Sequence, residues 1–180
     1  GFTISGSKAG GGIFAVAGVS NLTISNNNIT NNQGNYAGGI GIGTPDVGFD
    51  SQNDNVIVRN NKVHTNGGVD GSGGIAMNEG SENYLVEGNV VTGNLSRFNG
   101  GGIAHNGPSP GNNIIRKNKV MFNEVFFGAL LNKAGDGGGI FVGDNVAGVE
   151  GTGNVTIEAN LIQGNLTGAG SGAGIRAFAV

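Results

Sequence analysis

Apolar and polar positions alternate along this chain for three or four residues at a time and then break off, which is the period of short strands and not of helices. The breaks are regular. A twelve-residue unit occurs five times, at residues 21–32, 55–66, 83–94, 112–123 and 154–165. It follows the pattern N-Φ-x-Φ-x-x-N-x-Φ-x-x-N, where Φ is apolar. All three asparagine columns are unbroken, and Asn113 in the second position is the single lapse among the apolar columns. A second element alternates with the first: a Gly-Gly-Ile type strand centred on Ile13, Ile40, Ile75, Ile103, Ile140 and Ile175, preceded by Gly or Ala each time.

Internal repetition at such a period means a solenoid. Each period holds one twelve-residue unit, one Gly-Ile strand and two connections. Three short strands per period make one coil, and coils stack through in-register parallel ladders. The fourth position (Ile24, Val58, Val86, Ile115, Ile157) and the ninth (Ile29, Val63, Val91, Val120, Ile162) then become aliphatic stacks, as does the Ile of the Gly-Ile strand. The seventh-position column, Asn27, Asn61, Asn89, Asn118 and Asn160, falls at a bend between two strands. Asn tolerates the left-handed backbone of a tight corner, and its amide can pair with the Asn one coil away.

These columns resemble the right-handed parallel β-helix of the pectate-lyase-like superfamily, with its asparagine ladder, over nearly the whole chain. The expected fold is all-β: a right-handed single-stranded parallel β-helix of about five coils, each of three short strands. Residues 1–180 are read as one β-helix segment, part of a longer chain. The resemblance makes the Gly-Ile strands the first sheet, the N-Φ-x-Φ strands the second and the ninth-position strands the third. It also implies that a substrate, if there is one, lies on the outer face of the first sheet. The fold hosts lyases, hydrolases, epimerases, adhesins and spacers, so it leaves activity open.

Composition narrows the chemistry. With 39 Gly and 27 Asn among 180 residues, long helices and coiled coils are excluded. Pro numbers only 3 and Gly has no strict period of three, so collagen is excluded too. A net charge of −3 without clustered Lys or Arg argues against nucleic acid, and no apolar run is long enough to span a membrane. The absence of Cys removes disulfides and thiol chemistry.

Candidate residues are few. If the first-sheet Ile side chains point inward, their neighbours Gly39 and Gly41, Gly74 and Ala76, Gly102 and Ala104, Gly139 and Phe141, and Gly174 and Arg176 point outward, a surface nearly bare of catalytic groups. Asp136 and Asp144 flank one Gly-Ile strand and are candidates for acid/base work, against ordinary turn residues. His105 falls in an inward column as a partly buried histidine and is the remaining catalytic candidate; His64 is an exposed strand residue. Asp46, Asp50 and Asp54 lie in one long connection, where they stand as Ca²⁺ ligands or as solvated turn residues. No other cofactor is expected. The stretch with Phe126, Phe127, Leu130 and Leu131 is too apolar for a free loop and either folds over the flank or contacts a partner.

The expected function is a secreted or cell-surface solenoid acting as a structural, adhesive or carbohydrate-contacting module. Its partners would be a polysaccharide or another protein domain or subunit. The alternative is a polysaccharide-active lyase, epimerase or glycoside hydrolase.

Overall fold

A computed structural model describes residues 1–45, 50–69, 71–126, 135–143 and 152–178. Among them there is no helix, and every strand is two to five residues long. The chain is a right-handed parallel β-helix. The first sheet runs through Ile13–Ala15, Ile40–Ile42, Ile75–Met77, Ile103–Asn106, Ile140–Gly143 and Ile175–Phe178. The second joins Thr23–Ser25, Ile57–Arg59, Leu85–Glu87, Asn112–Arg116 and Asn154–Glu158. The third begins at Thr3–Ser5 and continues through Asn28–Thr30, Lys62–His64, Val90–Thr92, Lys119–Met121 and Leu161–Gln163. All strand pairs within the sheets are parallel and in register with the repeat, so that Ile24, Val58, Val86, Ile115 and Ile157 stack.

A fourth sheet adds to the three expected strands per coil. It is built from two-residue strands directly after each unit: Gln33–Gly34, Gly67–Gly68, Leu95–Ser96, Glu124–Val125 and Leu166–Thr167. So short a strand carries no period of its own and is invisible to an alternation test.

The seventh-position ladder is present. Each Asn donates its backbone N–H and its Nδ2–H to the Oδ1 of the Asn in the next coil, as Asn61 does to Asn89 at 2.9 and 3.0 Å. The same Nδ2 also donates backwards, to the carbonyl of the fourth-position residue one coil earlier: Asn61 to Ile24 and Asn89 to Val58, both at 2.9 Å. The chain of amides runs from Asn27 through Asn118 to Asn160. A second ladder of identical construction runs through the twelfth position, Asn32, Asn66, Asn94, Asn123 and Asn165, at the corner between third and fourth sheets.

The left-handed backbone lies one residue earlier than the sequence suggests. The sixth position holds it, in Asn26, Asn60, Gly88, Lys117 and Ala159, and so does the eleventh, in Asn31, Thr65, Gly93, Phe122 and Gly164. The ladder Asn residues themselves do not have positive φ. A left-handed residue turns the chain through the corner, and the Asn after it then aims its amide inward beneath the turn.

The paired glycines before each Ile have a steric cause. A Cβ on Gly102 would stand 2.6 Å from the Gly139 carbonyl oxygen, 2.7 Å from Val120 Cγ1 and 2.9 Å from Asn123 Nδ2. Gly39, Gly74 and Gly139 meet the matching atoms of their own next coils. This column therefore faces the core, where a third-sheet aliphatic and a ladder amide fill the space, and not solvent as the alternation implied. The core itself is a narrow column of Ile29, Val63, Val91 and Val120 against Ile40, Ile75, Ile103 and Ile140, all with no solvent exposure.

Replacing Asn89 by Leu strips partners from the Asn61 donors, the Asn118 Oδ1 and the Val58 carbonyl, all buried. The Asn61 main-chain N–H is left without an acceptor, while Asn61 Nδ2 keeps the Ile24 carbonyl and Asn118 Oδ1 keeps the residue-89 N–H, so the loss is about 1–3 kcal/mol. Asn94→Leu in the second ladder is expected to cost the same, and equilibrium denaturation compares the two directly. A cost for Asn94→Leu below about 1 kcal/mol refutes the equivalence of the ladders.

Gly102→Ala is expected to destabilise by about 1–3 kcal/mol through overpacking. Gly67→Ala, whose Cβ would have nothing nearer than the Gln33 Cγ at 3.9 Å, is expected to be neutral or slightly stabilising. Thermal unfolding of the two variants separates them.

Candidate functional site

The outer face of the first sheet is not an open platform over the central coils. Its outward column is Gly41, Ala76, Ala104 and Phe141, and all four are buried, Ala76 and Ala104 completely. The Phe14 ring edge lies over Gly41, and Gly100 in a left-handed turn lies over Ala104. Parallel bridges from Ala37 to Ser72 and from Asn99 to Asp136 carry the neighbouring connections in step with the coils. The smallness of Gly41 and Ala104 is thus explained by what packs on them.

Asp136 sits at the head of a first-sheet strand. Its Oδ1 accepts the Ser171 N–H at 2.6 Å, and its Oδ2 lies 3.6 Å from Arg176 Nε on the next coil. The Arg176 guanidinium in turn rests 5.3 Å from the centre of the Phe178 ring. Asp144, the other half of the proposed acid/base pair, lies outside the described residues.

His105 is fully buried, where the sequence suggested partial burial, and both ring nitrogens are engaged. Nε2 lies 3.1 Å from the Thr152 carbonyl, which can only accept, so Nε2 carries the proton. Nδ1 then accepts from the Tyr84 hydroxyl at 2.9 Å. Burial pushes the imidazole down to about 4, against the opposing hydrogen bonds of the Thr152 and Gly107 backbone. Burial likewise pushes the Tyr84 hydroxyl upward. His105 is thereby held neutral inside the solenoid. His64, on the third sheet, is half-buried and bridges the Asn28 Oδ1 at 3.0 Å and the Thr30 hydroxyl at 3.3 Å.

Asp50 is exposed and caps its own turn by accepting the Gln52 N–H at 2.8 Å. Glu82 feels both Asp54 and Asp50. Burial first, and those two negative charges after it, raise its carboxyl above the usual range. No cluster of three ligating groups that could hold a metal ion occurs among the described residues, and Asp46 lies outside them. In the fifth-position column Arg116 pairs with both neighbouring coils, its Nε 2.9 Å from Glu87 Oε1 and its Nη1 3.8 Å from Glu158 Oε1. Both pairs are partly exposed and worth only a few tenths of a kcal/mol each.

Of the apolar insertion, Phe126 is described and is 48% exposed, with its backbone N–H bound to the Ser96 carbonyl. Phe127, Leu130 and Leu131 lie outside the described residues. Phe126 stands at one end of a cleft that sequence reasoning missed. Two adjoining hollows of about 560 and 550 Å³ lie over the fourth sheet and share Lys8, Gln33, Gly67 and Leu95. Their walls come from five successive turns of chain, so the cleft runs along the solenoid axis for about 20 Å at the usual strand spacing. The signal for it is Gly67, the one small residue in an outward column otherwise filled by Gln33, Leu95, Glu124 and Leu166.

No protein-family model, no curated protein and no solved structure matches this chain. No helix among the described residues is long and apolar enough to cross a membrane.

The His105 geometry sets a pH dependence. Its folded pKa of about 4 lies below the ordinary 6.5, so between those values the unfolded chain binds more protons than the folded one. Stability is complete above pH 6.5 and falls on acidification through that window by about 3 kcal/mol, from about 1.4 kcal/mol per pH unit. Urea unfolding from pH 7 to 4 checks the slope, and an NMR titration of the His105 ring checks its source. A ring that titrates near 6.5 refutes the assignment.

Proposed function

We propose that this chain is a rigid module, related to the pectate-lyase-like β-helices, that works outside the cell or at its surface by contacting polysaccharide. The observation carrying this reading is the axial cleft over the fourth sheet, whose walls mix amide, aliphatic and aromatic side chains. Its volume falls in the range of ligand sites, and apolar walls with a few placed polar groups suit a ring with both apolar faces and hydroxyl edges. The ladders support a structural role as well, because they tie every coil to its neighbours and hold the walls in fixed spacing.

One observation favours the alternative of a polysaccharide-active enzyme: the Asp136 carboxylate and the Arg176 guanidinium meet beside the first sheet, on the side where β-helix enzymes of the resembled superfamily act. Affinity electrophoresis in gels containing galactomannan, hydroxyethylcellulose, xylan or polygalacturonate, with the recovered polymer assayed for new reducing ends and unsaturated products, distinguishes the two. Retardation without product supports the binding module. Product formed by the native chain and lost in Asp136→Asn replaces it with the enzyme, and retardation by none of the four overturns both.

A further inference from the structure

The cleft has a chemistry specific enough to name its occupant. We infer that it takes an extended, uncharged polysaccharide lying along the solenoid axis, with one pyranose ring seated over Gly67 between Leu95 and the Gln33 amide; this rests on the polysaccharide-contacting reading above.

Direction comes first. The hollows cross the coils rather than following one of them, so the ligand must be long and straight. One coil advances by about 4.8 Å, close to the length of a pyranose ring in an extended chain, so successive rings fall on successive coils.

A peptide strand is the obvious competitor, and the backbone refuses it. The N–H groups of the floor are already spent on the neighbouring coil: Gly67 on the Asn32 carbonyl at 2.9 Å, Leu95 on Asn66 at 2.8 Å, and Val69 on Gly34 at 3.0 Å. Strand addition needs an unpaired edge, and this surface is the middle of a sheet. Recognition must therefore come from side chains. Among the described residues the Gln33 amide has no partner, which leaves donors and acceptors free for hydroxyl groups.

Charge sets the class of polymer. Among the described residues Lys8 is the single charged side chain in the lining, so a polyuronate laid along five coils would find one cation for several carboxylates. A neutral chain has no such deficit. The half-exposed Leu95 and Phe126, each with 40% or more of its surface open, offer apolar contact to ring faces.

Gly67 makes the test clean. Its side-chain direction is open, with nothing closer than 3.9 Å, and its φ is not in the left-handed region, so a larger residue fills the cleft without disturbing the coil. The native chain should be retarded by galactomannan or hydroxyethylcellulose more than by polygalacturonate. Gly67→Leu should lose about tenfold or more in affinity while unfolding at the native temperature. If Gly67→Leu unfolds early, the exposed-residue variants Gln33→Ala and Phe126→Ala must each weaken retardation instead. Native binding of a neutral polymer that survives all three substitutions overturns the cleft assignment and leaves the polysaccharide reading intact. Preference for polygalacturonate overturns the neutral class. Absence of binding to any polymer overturns both the assignment and the reading on which it stands.

Discussion

Each coil of this solenoid turns two corners on an amide that must find its partner one coil away. A buried Asn carries two donors and an acceptor with room for several bonds, and here all are used: forwards to the next amide and backwards to a main-chain carbonyl. That demand fixes the position of every coil relative to the next, because a shift along the strand leaves buried polar groups unpaired at once. The ladder also has a direction. It opens where the Phe2 and Ser7 N–H groups donate to Asn27 and Asn32, and each later step repeats the same donation.

Much else follows from holding two such corners in so short a coil. The residue before each amide is forced into the left-handed region even where it is Thr65, Phe122, Lys117 or Ala159, side chains that pay about 1 kcal/mol or more there. Column alignment outranks local preference. The interior left between the corners is so narrow that one or two side chains from each of the first three sheets fill it, and the side of the coil facing the third sheet has room only for glycine. Richness in Gly is thus a packing requirement across the core, and not a sign of a loose chain.

The same geometry governs where chemistry can sit. Backbone groups are consumed by the stacking, so the surface can act only through side chains that point outward in columns. Over the central coils the first sheet spends its outward column on contact with neighbouring connections. The fourth sheet keeps its column open, and a single glycine in it makes the hollow. Inside, the Tyr84 and His105 pair replaces aliphatic stacking with one hydrogen-bonded step, and its neutrality follows from burial.

The fold was legible in the residues because a solenoid writes its contacts at a fixed period: the five Asn27-type residues and the aliphatic columns occupy equal places in each unit, and equal places touch. The twelfth-position ladder was written as plainly, in an unbroken Asn column, but its hydrogen bonding became recognisable only once a fourth strand made a second corner there. Which residue adopts the left-handed turn, and that Gly39 and Gly102 face inward, depend on how far the chain rotates through each corner, and period counting is blind to that rotation. His105 lay in an inward column, yet its full burial and its Tyr84 partner depend on two segments 21 residues apart meeting across the core. The cleft was least legible of all. It is a gap left by one glycine between side chains of separate coils, and only stacking in three dimensions turns that missing side chain into a surface.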